Sequence, residues 1–184
     1  MRTLAVLLLA SLAGCAGARP SVERYTYRIG TQDGGLCSAT AVGREVLLTA
    51  KHCIAENDSV VYLGDKRVTI RHIEVDGRDH ALLWVDERFP VWAQRGPTPR
   101  KGDGLSFVGN VDGFEQFYRS GQMAGWYSSA MLLDMTCGKG DSGAGVFNES
   151  GQLVGMISAV YVGPIVRFCV SYPLAFSPKQ WARI

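Results

Sequence analysis

No run of lysine and arginine in this chain is long enough to track a phosphate backbone, and its formal charge is only +2. Nucleic acid is therefore not an expected partner. Long apolar runs are missing too: the stretch from Leu4 to Leu12 is too short to span a bilayer comfortably, so no permanent membrane helix is expected. Extended stretches of good helix formers are few. What is abundant is glycine, 22 residues of it, together with Val, Ile, Thr and Tyr, and this points to many short strands joined by turns. A hydrophobic content of 47% suits a packed, globular, all-β protein.

The first residues combine one positive charge at Arg2, the apolar run and small residues after it, which is the pattern of an export signal spanning residues 1–18. Within it "LAGC", Leu12 to Cys15, resembles the bacterial lipobox, which implies lipidation of Cys15 and attachment to the membrane. A competing cut after Ala18 would yield a soluble secreted or periplasmic protein. Either way the basic and acidic residues left behind nearly balance.

Without Cys15, an even set of cysteines remains, Cys37, Cys53, Cys137 and Cys169, so disulfides are expected in an exported chain. Four cysteines allow three pairings, and their order alone does not choose among them.

Strands are expected at 25–29, 37–42, 45–48, 59–63, 67–75 and 81–85, bounded by Gly, Asn or Asp. The apolar phase changes between Ile70 and Ile73, which predicts a bulge near His72. Residues 93–103 carry prolines and glycines and read as a linker between a first unit, 19–92, and a second, 104–184. Strands resume at 105–108, 114–118, 122–127, 131–135, 144–147, 153–160 and 165–172, and a short helix is expected after Pro178.

Three short segments carry chemistry only when taken together. "TAKHC" places His52 just after an apolar strand, "DHALL" sets Asp79 at a strand entry, and "GKGDSGAG" surrounds Ser142 with glycines. A serine hydroxyl is a poor nucleophile near neutrality; acyl transfer needs a base beside it and a group that holds that base in the right tautomer. His52 and Asp79 are the candidates. The tetrahedral intermediate also needs N–H donors for its oxyanion, and a glycine turn can supply them from Gly140 and Ser142.

In this order the three blocks resemble the signatures of the trypsin-like serine proteases, and the resemblance covers essentially the whole chain after the signal. It implies two antiparallel Greek-key β-barrels with the active site between them, and an endopeptidase with catalytic His52, Asp79 and Ser142 acting on polypeptide. A catalytically silent binding module of the same fold is the alternative. The resemblance further implies disulfides Cys37–Cys53 and Cys137–Cys169, a role for Ser158 in receiving Asp79, and a substrate-binding edge from Ser158 to Val160 that pairs with peptide backbone. No cofactor or metal is implied, and a monomer is expected.

Departures from the family pattern are informative. No "IVGG"-like sequence offers a new N-terminus to pair with Asp141, which favours the compact bacterial branch and requires another partner for that carboxylate. Ala144 replaces the usual glycine after "GDSG", and His80, standing where an apolar residue is usual, reads as structural. Lys51 and Lys139 read as solvated charges. Thr136 counts back to the floor of the specificity pocket, with Asp134 or Met135 as nearer alternatives, and Val160 stands where glycine usually keeps the pocket open. The expected preference is for small or medium apolar residues before the cleaved bond.

Overall fold

The structure, a computed structural model, describes residues 21–31, 34–55 and 57–184; the apolar leader and Cys15 lie outside the described residues. Six strands build the first barrel: β1 (Thr26–Gly30), β2 (Leu36–Gly43), β3 (Val46–Ala50), β4 (Val60–Leu63), β5 (Lys66–Val75) and β6 (His80–Val85). They pair in the order β1-β2-β3-β6-β5-β4, and Ile29 beside Leu63 closes the ring. Six more build the second: β7 (Gly104–Gly109), β8 (Phe117–Tyr127), β9 (Ala130–Asp134), β10 (Gly145–Asn148), β11 (Leu153–Val162) and β12 (Arg167–Tyr172). Their order is β10-β11-β12-β9-β8-β7, closed where Val146 pairs with Phe107. All pairings between these strands are antiparallel, as expected from the sequence.

Burial explains why particular strands face one another. Every residue of β3 is buried, because one face of the strand fills its own barrel while the strand also touches β11 of the other. A closed barrel leaves few unpaired backbone groups at strand edges. The register of β5 against β6 slips between Ile70 and His72, the bulge that the change of apolar phase predicts.

Two segments differ from the strand reading. Residues 114–118 and 122–127 are not separate strands: β8 runs unbroken from Phe117 to Tyr127, preceded by a tight turn at Val111–Gly113 and by Gln116 at φ 54°. Gly121 looks like a breaker in sequence, yet it sits inside β8, where a Cβ would strike the carbonyl oxygen of Asp134. The glycine there permits close packing and does not end the strand.

After β12 the chain returns to the first barrel. Leu174 and Phe176 enter that barrel's core, and the one-turn helix α1 (Pro178–Trp181) packs Trp181 edge-on against Phe176 at 5.8 Å. Ser177 and Gln180 form a capping box at its start, with Pro178 in the first turn.

Candidate active site

β3 ends at Ala50 and a single 3-10 turn, Lys51–Cys53, presents His52. The start of β6 is held alongside: Ala50 pairs with His80, and the Lys51 N–H donates to the Asp79 carbonyl at 2.9 Å. Asp79 therefore meets His52 twice, its Oδ1 accepting the His52 backbone N–H at 3.1 Å and its Oδ2 lying 2.8 Å from the ring Nδ1. With the Nδ1 proton committed to the carboxylate, Nε2 is left as the basic nitrogen. The hydrogen bond to Asp79 holds the imidazole above its ordinary pKa, against burial, which pulls it down. Burial pushes the Asp79 carboxyl up, but the bonds from the His52 ring and N–H outweigh it and leave the carboxyl below the usual carboxylate range.

Two further features surround Asp79. The register of β11 against β12 slips between Ile157 and Ala159, so Ser158 is the bulged residue there; bulges commonly re-aim a side chain beside a site. The buried Ser158 hydroxyl faces Asp79 and contributes last and least to the lowering of its pKa, and among the described residues its Oγ meets no partner in hydrogen-bond geometry. On the other side, His80 and Asp76 form a fully buried pair through Nδ1 and Oδ2. Asp76 also accepts the N–H groups of Arg78 and Ala175, tying the Asp79 turn to the C-terminal segment. This is the structural part expected of His80.

The Ser142 loop reaches the first barrel through its backbone. Ser38, next to Cys37 on β2, donates its N–H to the Ser142 carbonyl at 2.7 Å, and the Cys37–Cys53 disulfide links β2 to the residue after His52. Cys53 Sγ itself lies 4.0 Å from the Ser142 carbonyl. Gly143, at φ 91°, has no room for a Cβ because the Ser38 carbonyl occupies that position. The barrels thus meet backbone to backbone at the serine.

Four successive carbonyls of this loop are engaged. That of Lys139 accepts the Asp112 N–H (2.8 Å), that of Gly140 the Ser38 hydroxyl (2.8 Å), that of Asp141 the Ala144 N–H (2.9 Å), and that of Ser142 the Ser38 N–H. Peptide N–H and C=O point in opposite directions across a trans bond, and the chain has no cis peptide among its described residues. The Gly140 and Ser142 N–H groups consequently point away from these partners, and among the described residues neither donates to a protein acceptor.

Asp141, the carboxylate for which the sequence reading requires a partner, is buried and pairs with Arg119 of β8 at 2.9 Å; its other oxygen accepts the Gly138 N–H at 2.8 Å. Burial pushes the Asp141 carboxyl up, opposed by Gly138 and Arg119. The guanidinium lies over Phe107 and Phe117, with 5.0 Å and 5.8 Å to the ring centres. Arg119 is missed by sequence reading because a lone arginine in "FYRSG" looks like a solvated strand charge.

The second disulfide joins Cys137 to Cys169, as the resemblance implies. Val160 pairs with Cys169 and Thr136 precedes Cys137, so this bridge lies between the two. Thr136 and Val160 are both exposed. Lys51 and Lys139 are exposed, as read from sequence. The disulfides mark an oxidising, extracytoplasmic compartment.

Comparison with solved structures shows the same architecture. An inactive mutant form of Rv3671c from M. tuberculosis H37Rv superposes with a TM-score of 0.72 at 16% identity, covering 97% of this chain and 97% of that one. The active form of the Rv3671c protease gives 0.72 at 16% identity, over 89% of this chain and 82% of that one. The serine endoprotease from Yersinia pestis gives 0.72 at 20% identity, over 88% of this chain and 64% of that one. At these identities the likeness is one of fold. No curated protein sequence matches the chain. Residues 37–156, which hold His52, Asp79 and Ser142, match the family described as the trypsin-like peptidase domain. The chain belongs to the trypsin-like peptidase domain family, whose substrates are polypeptides.

Proposed function

We propose that the protein is an exported serine endopeptidase working through an acyl-enzyme. Ser142 Oγ attacks the peptide carbonyl while His52 Nε2 takes its proton, and Asp79 holds the imidazole and stabilises the imidazolium that forms. The carbonyl π electrons move onto oxygen, which the Gly140 and Ser142 N–H groups receive. Collapse of this intermediate breaks the C–N bond, and His52 returns its proton to the departing amine. Water, activated by the same imidazole, then releases the acid and regenerates Ser142.

Substrate enters as an extended strand along Ser158 to Val160. Val160 shortens the pocket and favours small or medium apolar residues before the cleaved bond, with Thr136 contributing to that pocket. The lipobox-like Leu12–Cys15 fits attachment to the cell envelope through Cys15.

The observation that carries the reading is the Ser142 loop with its carbonyls engaged and two N–H groups left to donate, beside an imidazole already oriented by a carboxylate. Hydrolysis of an unfolded protein and of a peptide library by the mature chain, beside Ser142→Ala, tests it. Activity abolished by the substitution is expected, with products ending in small or medium apolar residues. Equal hydrolysis by the variant rejects Ser142, and products ending in Arg or Lys reject the pocket assignment.

A further inference from the structure

Gly140 has no side chain to hold its backbone in place. At φ 94° it occupies a region open to glycine, and a Cβ there would strike the carbonyl oxygen of Asn110. Glycine has low barriers in both directions, so the aim of its N–H depends on what holds the peptides on either side. Upstream, the Lys139 carbonyl is held by a backbone N–H, that of Asp112. Downstream, the Gly140 carbonyl is held by a side chain from the other barrel, the hydroxyl of Ser38.

Ser38 is fully buried on β2 and its hydroxyl is doubly engaged. It donates to Gly140 at 2.8 Å and accepts the Asn110 side-chain amide, also at 2.8 Å. Because a hydroxyl has a single proton, the donation from Asn110 directs that proton to Gly140. Asn110 is itself buried and fixed: its Oδ1 accepts the Gln116 N–H at 3.2 Å, and its Nδ2 also reaches the Tyr27 carbonyl at 3.4 Å. The Ser38 carbonyl accepts the Thr49 hydroxyl at 2.8 Å, so β3 braces the same residue. Ser38 thus holds the loop twice, by its N–H at Ser142 and by its hydroxyl at Gly140, while Asn110 orients the second contact.

We propose that Ser38, oriented by Asn110, is a positioning residue that aims the Gly140 N–H at the reacting carbonyl oxygen. The proposal rests on reading Gly140 and Ser142 as oxyanion donors. It assigns the side chain at position 38 a part in transition-state stabilisation, although it touches no substrate.

Ser38→Ala removes the hydroxyl and leaves the backbone N–H contact intact. Active sites are counted by stoichiometric fluorophosphonate titration, so misfolded protein drops out of the rate. Removing an oxyanion donor costs about 10²–10³ in kcat, and a donor that is still present but loosely aimed should cost about 10-fold. KM should stay within about twofold, since the lost interaction belongs to the transition state. A peptide aldehyde, whose adduct carries an oxyanion, should bind about 10-fold more weakly, and the matching peptide alcohol equally well. A purely structural role would lower the titrated fraction or weaken both ligands together; that result, or a kcat per site within about twofold of the parent, overturns the proposal.

If Ser38→Ala does not fold, Asn110→Ala retains the hydroxyl but frees its proton, and should show the same pattern at about threefold. An unchanged kcat per site and aldehyde affinity in that variant likewise overturns it. The amide resonance of Gly140 in glycine-labelled protein separates this proposal from the catalytic reading. A parent protein that takes no fluorophosphonate removes the peptidase assignment and the role in catalysis with it, while a Gly140 resonance that shifts and broadens in the variant still supports Ser38 as its restraint. An unmoved resonance refutes that restraint whatever the activity.

Discussion

Replacing Arg119 with methionine removes the guanidinium while keeping an apolar side chain over Phe107 and Phe117. Asp141 is fully buried and has two partners, Arg119 at 2.9 Å and the Gly138 N–H at 2.8 Å. Without the arginine, one backbone N–H remains to hold a carboxylate removed from water. Breaking such a buried pair costs about 3–5 kcal/mol near neutrality. The carboxyl can escape part of that cost by taking a proton, at about 1.4 kcal/mol per pKa unit. Burial already pushes Asp141 up in the parent, and the variant should push it further. A folded-state pKa above the unfolded one contributes stability that is present at low pH and lost as pH rises through the folded value. The destabilisation of Arg119→Met by urea titration should therefore be about 3–5 kcal/mol at pH 7.5 and smaller by about 1 kcal/mol or more at pH 5. The rate of fluorophosphonate labelling should fall with it, because Asp141 immediately precedes Ser142. A loss under about 1 kcal/mol at pH 7.5, or one independent of pH, would refute the argument that Arg119 neutralises Asp141.

The remaining predictions concern the imidazole, the glycine and the first disulfide. Since the bond to Asp79 raises the His52 pKa and the base must be neutral, kcat/KM should fall on acidification with an apparent pKa above the ordinary imidazole value of about 6.5; a profile flat from pH 5 to 8 counts against His52. Gly140→Ala places a Cβ against the Asn110 carbonyl and should lower kcat by about 10²-fold or more, with the fold retained by circular dichroism; an unimpaired variant would exclude that N–H as a donor. Replacing Cys37 and Cys53 together with serine opens a loop of sequence separation 16, and should cost about 3 kcal/mol in denaturant unfolding. No change in midpoint would mean the bridge does not constrain the chain.

Much of the framework is legible in the sequence because it is local. Alternation and turn residues place most strands, and the phase change in β5 marks its bulge. Gly121 misleads because its reason is the carbonyl of Asp134, 13 residues away in sequence and adjacent in space. His52, Asp79 and Ser142 are legible through their short flanking motifs, whereas the residues that position them are not. Arg119 reaches Asp141 only once β8 closes against β7. Ser38 and Asn110 are ordinary polar residues in sequence; the bonds from Ser38 to the Ser142 loop, and from Asn110 to Ser38, exist only when the two barrels dock. His80 reads as structural in sequence, but its partner Asp76 and the C-terminal cover are not legible there, with Phe176 6.1 Å from the His80 ring.

The central claim is that Ser142 is a nucleophile activated by His52. It is tested most directly by treating the mature protein with a fluorophosphonate and mapping the adduct by peptide mass spectrometry, beside Asp79→Asn. The account predicts one phosphonyl group per chain, on the peptide containing Ser142, and labelling slowed about 10³- to 10⁴-fold in the variant through loss of the oriented imidazole. An adduct on another serine, or a rate unchanged by Asp79→Asn, would contradict it.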